Sequence, residues 1–281
     1  MRIGTARLDG RTTTVVDRGE GWHASDTAVL DILTGSEPVI STSGEPAEGS
    51  IDFVLPYRPP TIHGIGLNFR DTVTDMGWET PKAPFLFPKL SSSACGPNDD
   101  IVVDPRLTTR VDWEAELGVI IGRPAKNVPV AMALSHVAGY VAANDISARD
   151  LQANDGQWVR GKGLDTFCPL GPWILTSDEL DDPQSVGIRT WVNGDLMQDG
   201  STASMIFSVA ELISYCSRFF TLAPGDIILT GTPAGCGDFR TPAIALRPGD
   251  LVEIEVDNLG RQHSQVVAPS LTPARHNLAS G

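Results

Sequence analysis

Basic residues are scarce in this chain. Its 281 residues hold 21 Lys and Arg against 35 Asp and Glu, a formal net charge of −14. No basic field exists to attract phosphates, which disfavours nucleic acid and anionic membrane surfaces as partners. Cysteines are few too: Cys95, Cys168, Cys216 and Cys236 are scattered with no CxxC spacing. They read as reduced, buried thiols and not as a disulfide frame. There is no HxxxH pair and no Cys cluster of the kind that binds zinc. No apolar run approaches the ~18 residues that cross a bilayer. The opening MRIGTARLDGRTTTVVDRGEG also lacks the apolar stretch of a secretory signal. The expectation is a cytoplasmic protein.

What the chain does have is a hydrophobic content of 41% and a generous supply of turn formers, Gly 28 and Pro 21, spread along its length. That combination favours strands and turns over a helical bundle. Strands are expected at Thr12–Val16, Ile62–Leu67, Ile101–Val103, Trp113–Ile121, Val137–Asn144, Gly171–Leu175, Ile188–Val192, Ile227–Thr230 and Leu251–Val256. Helices are fewer: Ser25–Leu33, Pro129–Ser135 and Ser208–Phe219. In the last, Val209, Leu212, Ile213, Cys216 and Phe220 recur at helical spacing, as core packing requires. Pro224-Gly225-Asp226 and Pro248-Gly249-Asp250 are turns that feed strands. The class is α+β, β-rich. Residues 1–58 read as a small N-terminal α/β module containing a polar loop at Ser41–Gly49. Residues 59–267 read as the main domain, and 268–281 as a flexible tail.

The segment Val111–Ile121 carries the most chemistry. As a strand it alternates faces, with Trp113, Ala115, Leu117 and Val119 on one side and Glu114, Glu116 and Gly118 on the other. Glu114 and Glu116 then lie about 7 Å apart between Cα atoms, close enough to converge on one cation. Gly118 on the same face is expected to leave a gap for a ligand. Two like charges on a half-buried strand need solvent, a basic partner or a metal. Asp145, at the end of the apolar run Val137–Asn144, can complete an all-oxygen set. Three carboxylates suit Mg²⁺ or Mn²⁺ better than zinc, with Ca²⁺ as an alternative.

Several motifs stand in a familiar order. They are Gly66-Leu67-Asn68-Phe69, PFLFPK at Pro84–Lys89, DWEAELGVIIG, NDISARD, Gly161-Lys162-Gly163 with Asp165-Thr166-Phe167, Ser204-Met205-Ile206-Phe207, and PGDIILTGTPAG. Over about residues 60–267 the chain resembles the fumarylacetoacetate hydrolase superfamily. Within it, the bacterial acylpyruvate and 2,4-diketo-3-deoxy sugar acid hydrolases look most similar. The resemblance implies a mixed-sheet roll or barrel after a small N-terminal domain, assembled as a homodimer. It implies Glu114, Glu116 and Asp145 as metal ligands and Lys162 beside the substrate oxygens. Gln152 would contact substrate, and the Gly231-Thr232-Pro233 loop would hold its carboxylate. Lys89 and Arg149 match positions that serve the substrate or form a structural salt bridge.

One motif departs from the family. After the Asn-aromatic pair a histidine and, three residues later, a glutamate normally activate water; here those positions are Thr72 and Asp75. A threonine hydroxyl cannot take a proton near neutrality as an imidazole does. The other histidines, His23, His63, His136, His263 and His276, lie outside the motif. The leading expectation is a metal-dependent hydrolase that cleaves a C–C bond in acylpyruvate-like or 2,4-diketo acids, with Asp75 or the metal activating water. The Thr72 substitution shifts weight toward an alternative, an oxaloacetate-type decarboxylase or keto–enol tautomerase. A third reading is a non-catalytic member that only binds metal or ligand.

Overall fold

Continuous apolar runs, rather than alternating ones, mark strands that are buried on both faces. Ala115–Ile121 departs from such a run only at Glu116, and all seven of its residues are buried. A computed structural model describes residues 1–40 and 50–270. The polar stretch Ser41–Gly49 and tail residues 271–281 lie outside the described residues. Ala115–Ile121 sits inside an eleven-stranded sheet, paired antiparallel with Val137–Asn144 on one side and Ile227–Leu229 on the other. From Val137–Asn144 the sheet continues through Cys168–Thr176 to the N-terminal strands Arg2–Leu8, Arg11–Asp17 and Trp22–Ser25. On the far side Ile227–Leu229 runs parallel to Ile62–Gly66, which pairs with Phe85–Lys89. A second, five-stranded sheet contains Asp195–Ser201, Gly187–Val192, Leu251–Val256, Gly260–Val267 and Ile101–Val102. Mixed sheets with few helices make the α+β, β-rich class. Among the described residues the large sheet is an open path, so of the expected roll or barrel the closed form does not occur.

Alternation along Ala115–Ile121 feeds two cores. Ala115, Leu117, Val119 and Ile121 pack with Val209, Leu212, Ile213 and Cys216 of the helix Val209–Phe219, and with Ile188 and Ile254 of the second sheet. Ile120 points the other way, into a cluster with Ile3, Val16, Ile32, Ile62 and Ile227. Each such side chain contributes about 1.5–3 kcal/mol by leaving water. The helix Val209–Phe219 starts where its sequence says it should. Ser208 and Glu211 form a reciprocal capping box, each side chain bonding the other's backbone N–H. All four cysteines are free and buried.

Three expectations need correction. The helix expected from Ser25 begins only at Val29, because Ser25 is the end of a strand paired with Thr14. The helix expected at Pro129–Ser135 is one α turn, Val130–Ala133, followed by a 3₁₀ turn, Leu134–His136. The strand expected from Trp113 to Ile121 is interrupted: Val111–Asp112 pairs with Ser147–Ala148, and the long strand resumes at Ala115. At the break side chains replace the ladder. Glu114 N–H donates to Asn144 Oδ1 at 3.1 Å and Ala115 N–H to Gln198 Oε1 at 3.1 Å.

Gly118 leaves no ligand gap. A Cβ there would stand 2.8 Å from Val141 Cγ1 and 3.1 Å from its carbonyl oxygen, so the space belongs to the core. Gly118→Ala should therefore destabilise the fold by about 1–3 kcal/mol, read as a lower denaturant midpoint at unchanged slope. An unchanged midpoint would mean that the pleat has spare room after all.

Candidate metal centre

Burying a carboxylate is costly unless compensating charge, hydrogen bonds or a proton offset it. The strand break at Trp113–Glu114 brings four of them together. Glu114, Glu116 and Asp145 each offer an oxygen, and these oxygens lie within 4.8 Å of one another. Asp112 sits just upstream, and all four residues are buried. Chain folding explains the convergence: Ala115 is opposite Asn144 in the ladder, so Asp145 emerges level with Glu114, and its N–H donates to the Glu114 carbonyl at 2.8 Å.

Three cations face these carboxylates. Lys162, from the short helix Val159–Lys162, places Nζ 2.8 Å from Glu114 Oε2 and 2.6 Å from Asp145 Oδ2. Lys89 Nζ lies 2.7 Å from Asp145 Oδ1 and donates to the carbonyls of Ile146 and Lys162. Arg149 Nη1 lies 2.6 Å from Glu114 Oε1, while its Nε and Nη2 hold Asp112 Oδ2 at 2.9 and 2.8 Å. Four carboxylates thus meet three cations, and the unmatched one is Glu116. Among the described residues it has no ion-pair partner and only one hydrogen bond, from Gly231 N–H to Oε2 at 2.7 Å. It is 1% exposed.

The titration behaviour follows. Burial, reinforced by Asp145 and Glu114, holds the Glu116 carboxyl well above the usual range, against the opposing pull of Lys162. For Asp145 burial acts in the same direction, but Lys162 and Lys89 outweigh it and the carboxyl stays below its ordinary value. Burial would lower Lys162, yet Asp145 and Glu114 keep its ammonium above the usual range. A buried cluster of carboxylates short of one positive charge could hold a divalent cation through Glu114, Glu116 and Asp145, and such hard oxygen donors suit Mg²⁺ or Mn²⁺.

A cavity of about 310 Å³ opens onto this cluster. Glu114, Arg149, Gln152, Lys162, Gly231, Thr232 and Thr72 all line it. Gln152 accepts from Arg149 Nη1 at 3.2 Å. The Thr232 hydroxyl is already engaged, donating to Ala115 O at 2.8 Å and accepting from Gln198 Nε2 at 2.8 Å. Lys89 is not on the wall; it stands behind Asp145 with its N–H groups spent on protein oxygens. Thr72 is buried and donates to the Thr232 carbonyl at 2.7 Å. Asp75, at the end of the helix Arg70–Asp75, is exposed and does not line the cavity. His63 is remote from it, stacked on Phe220 at 5.0 Å and 3.9 Å from Asp226.

Several partners escaped the sequence. Asp112 accepts from Trp113 and Gly237 N–H (Oδ1, 2.9 and 2.7 Å) and from Asp238 N–H (Oδ2, 3.2 Å), as well as from Arg149. It ties the 236–239 turn to the cluster. Its place directly before Trp113-Glu114 was the available signal. Gln198 has no local signal, because it arrives from a hairpin in the other sheet.

The fumarylacetoacetate (FAA) hydrolase C-terminal family model matches residues 61–267. The 2,4-didehydro-3-deoxy-L-rhamnonate hydrolase of Sphingomonas sp. (strain SKA58) is 49% identical over 207 residues, 73% of this chain and 72% of that protein. The mitochondrial oxaloacetate tautomerase of Xenopus laevis is 47% identical over 224 residues, 79% of this chain and 70% of that one. The solved fumarylacetoacetate hydrolase from psychrophilic Exiguobacterium antarcticum superposes with a TM-score of 0.88 at 36% identity, covering 96% of this chain and 100% of that one.

Glu116→Gln removes an unmatched buried charge, so two opposite effects are expected. Calorimetric titration with Mn²⁺ should show affinity falling by about 100-fold or more, beyond the range typical of residues that merely support ligands. The metal-free variant should be more stable than the metal-free parent, by about 1–3 kcal/mol. Metal binding that survives the change would remove Glu116 from the ligand set.

Proposed function

The chain belongs to the fumarylacetoacetate hydrolase family, and on that premise we propose that it is a divalent-metal-dependent keto–enol tautomerase of small 2-oxo acids. One observation carries the choice: at the family's water-activating position the Thr72 hydroxyl is committed to the Thr232 carbonyl, and among the described residues no histidine lines the cavity. Hydrolysis needs a group that takes a proton from water. Tautomerisation removes the proton from an enol oxygen and adds one to the far carbon of the enol double bond, and it splits no water.

A cation held by Glu114, Glu116 and Asp145 would supply a Lewis acid that offsets negative charge on the substrate oxygens. The chain's own residues do the rest. Arg149 and Gln152 orient the head of the substrate, and Lys162 bears the proton nearest that head, on Nζ. Phe87 lies 4.9 Å from that ammonium and helps keep water from it. The Gly231-Thr232 segment shapes the opposite wall. The Xenopus relative's activity supports this reading.

The second reading, hydrolysis of acylpyruvate-like or 2,4-diketo acids, is favoured by the 49% identity to the Sphingomonas hydrolase. Two assays separate them. Decay of enol absorbance for freshly dissolved 2-oxo acids should accelerate with Mg²⁺ and stop with a chelator, while pyruvate release from acylpyruvates stays slow. The reverse pattern would make the protein a hydrolase. Pyruvate formed from oxaloacetate beside carbon dioxide would instead identify a decarboxylase.

Thr72→His combined with Asp75→Glu restores the family's base. It should raise acylpyruvate hydrolysis by about 10²-fold or more, the contribution of a positioned general base. No gain in kcat would mean that this helix does not present a base to substrate.

A further inference from the structure

The outer half of the cavity is built for a different kind of substituent than a second carboxylate. Every cation on its wall is already paired. Lys162 and Arg149 hold the ligand carboxylates, and Arg110 is clamped to Asp238 through Nε at 3.1 Å and Nη2 at 2.6 and 2.8 Å. A second carboxylate entering there would be desolvated without a free cation to meet it. Much of the remaining wall is apolar, with Trp78, Phe87, Trp158 and Phe239 beside Ile65, Leu67 and Met76. Trp158 packs on Phe85 and Phe87, ring centroids 4.5 and 5.4 Å apart, and lies so close to Gly66 that a Cβ there would stand 2.9 Å from its ring. Phe239 sits 5.1 Å beneath the Arg149 guanidinium. The whole cavity, about 310 Å³, falls in the ~300–1,000 Å³ range of pockets that bury drug-sized ligands. A four-carbon diacid leaves much of that space empty.

We propose that the substrate is a 2-oxo acid whose tail is an aromatic or branched apolar group seated against Trp158, and that the Arg110–Asp238 pair excludes diacids by keeping Arg110 occupied. The inference rests on reading the cavity as a 2-oxo acid site, and the test keeps the two separable. Benzoylformate and ketomalonate are 2-oxo acids that cannot enolise, one with a ring and one with a second carboxylate. Calorimetry on the Mg²⁺-loaded full chain should show benzoylformate binding at least about tenfold tighter, the scale on which apolar pockets discriminate. Trp158→Ala should erase that preference, and Trp158→Phe, a fold-preserving change, should retain it. Asp238→Asn frees Arg110 and should tighten ketomalonate several-fold. In parallel, kcat/KM for enol-phenylpyruvate should exceed that for enol-oxaloacetate in the parent enzyme. Equal or tighter ketomalonate binding, or a preference untouched by Trp158→Ala, overturns the inference. Benzoylformate preference without any enol turnover upholds the subsite and refutes the tautomerase reading instead.

Discussion

The rest of the site depends on a mismatch of one charge. Four carboxylates, Asp112, Glu114, Glu116 and Asp145, converge where a central strand breaks, and only Lys89, Lys162 and Arg149 come to meet them. Three of the four are neutralised in hydrogen-bonded pairs, which is how buried charge is tolerated. Glu116 is left with a single backbone N–H. A fold that merely needed stability would have replaced it with an apolar side chain. A buried, unmatched carboxylate beside two others could instead receive a dication.

The fold serves that receptor by rigidity. Ala115–Ile121 is buried on both faces and anchored in two hydrophobic clusters, so the backbone that carries Glu116 is held from both sides. The break at Glu114 is held by Asn144 and Gln198, and the turn at 236–239 is fastened to Asp112. The helix Arg70–Asp75 is docked too: Asp71 Oδ2 accepts from Ala234 N–H at 3.3 Å while Thr72 bonds Thr232. What the family uses to activate water is here a structural clasp. If the protein is a tautomerase, as we propose, its chemistry is charge stabilisation and proton movement at an enol, which needs less from the protein than water attack does.

Much of this was legible in the chain. The apolar run Val137–Asn144 and the helical spacing of Val209, Leu212, Ile213 and Cys216 are local signals, and each led to the element observed. The gathering of Glu114, Glu116 and Asp145 followed from strand spacing and from a strand end. The failures were non-local. Nothing near Gly118 shows that Val141, on the next strand, fills its face. Nothing near Ala115 shows that Gln198 will take its N–H and end the ladder. The placement of Asp75 on the solvent side depends on which side of a helix faces the cavity, and tertiary packing decides that. Of the roll or barrel expected by analogy, the closed form fails because among the described residues the sheet's two edges never meet.

The most direct test of the central claim is anomalous diffraction from crystals of the protein grown with Mn²⁺. The account predicts one strong peak at bonding distance from an oxygen of each of Glu114, Glu116 and Asp145. A well-ordered site with no peak there, or with Lys162 still bridging Glu114 and Asp145 at saturating Mn²⁺ and the metal bound elsewhere, would contradict it.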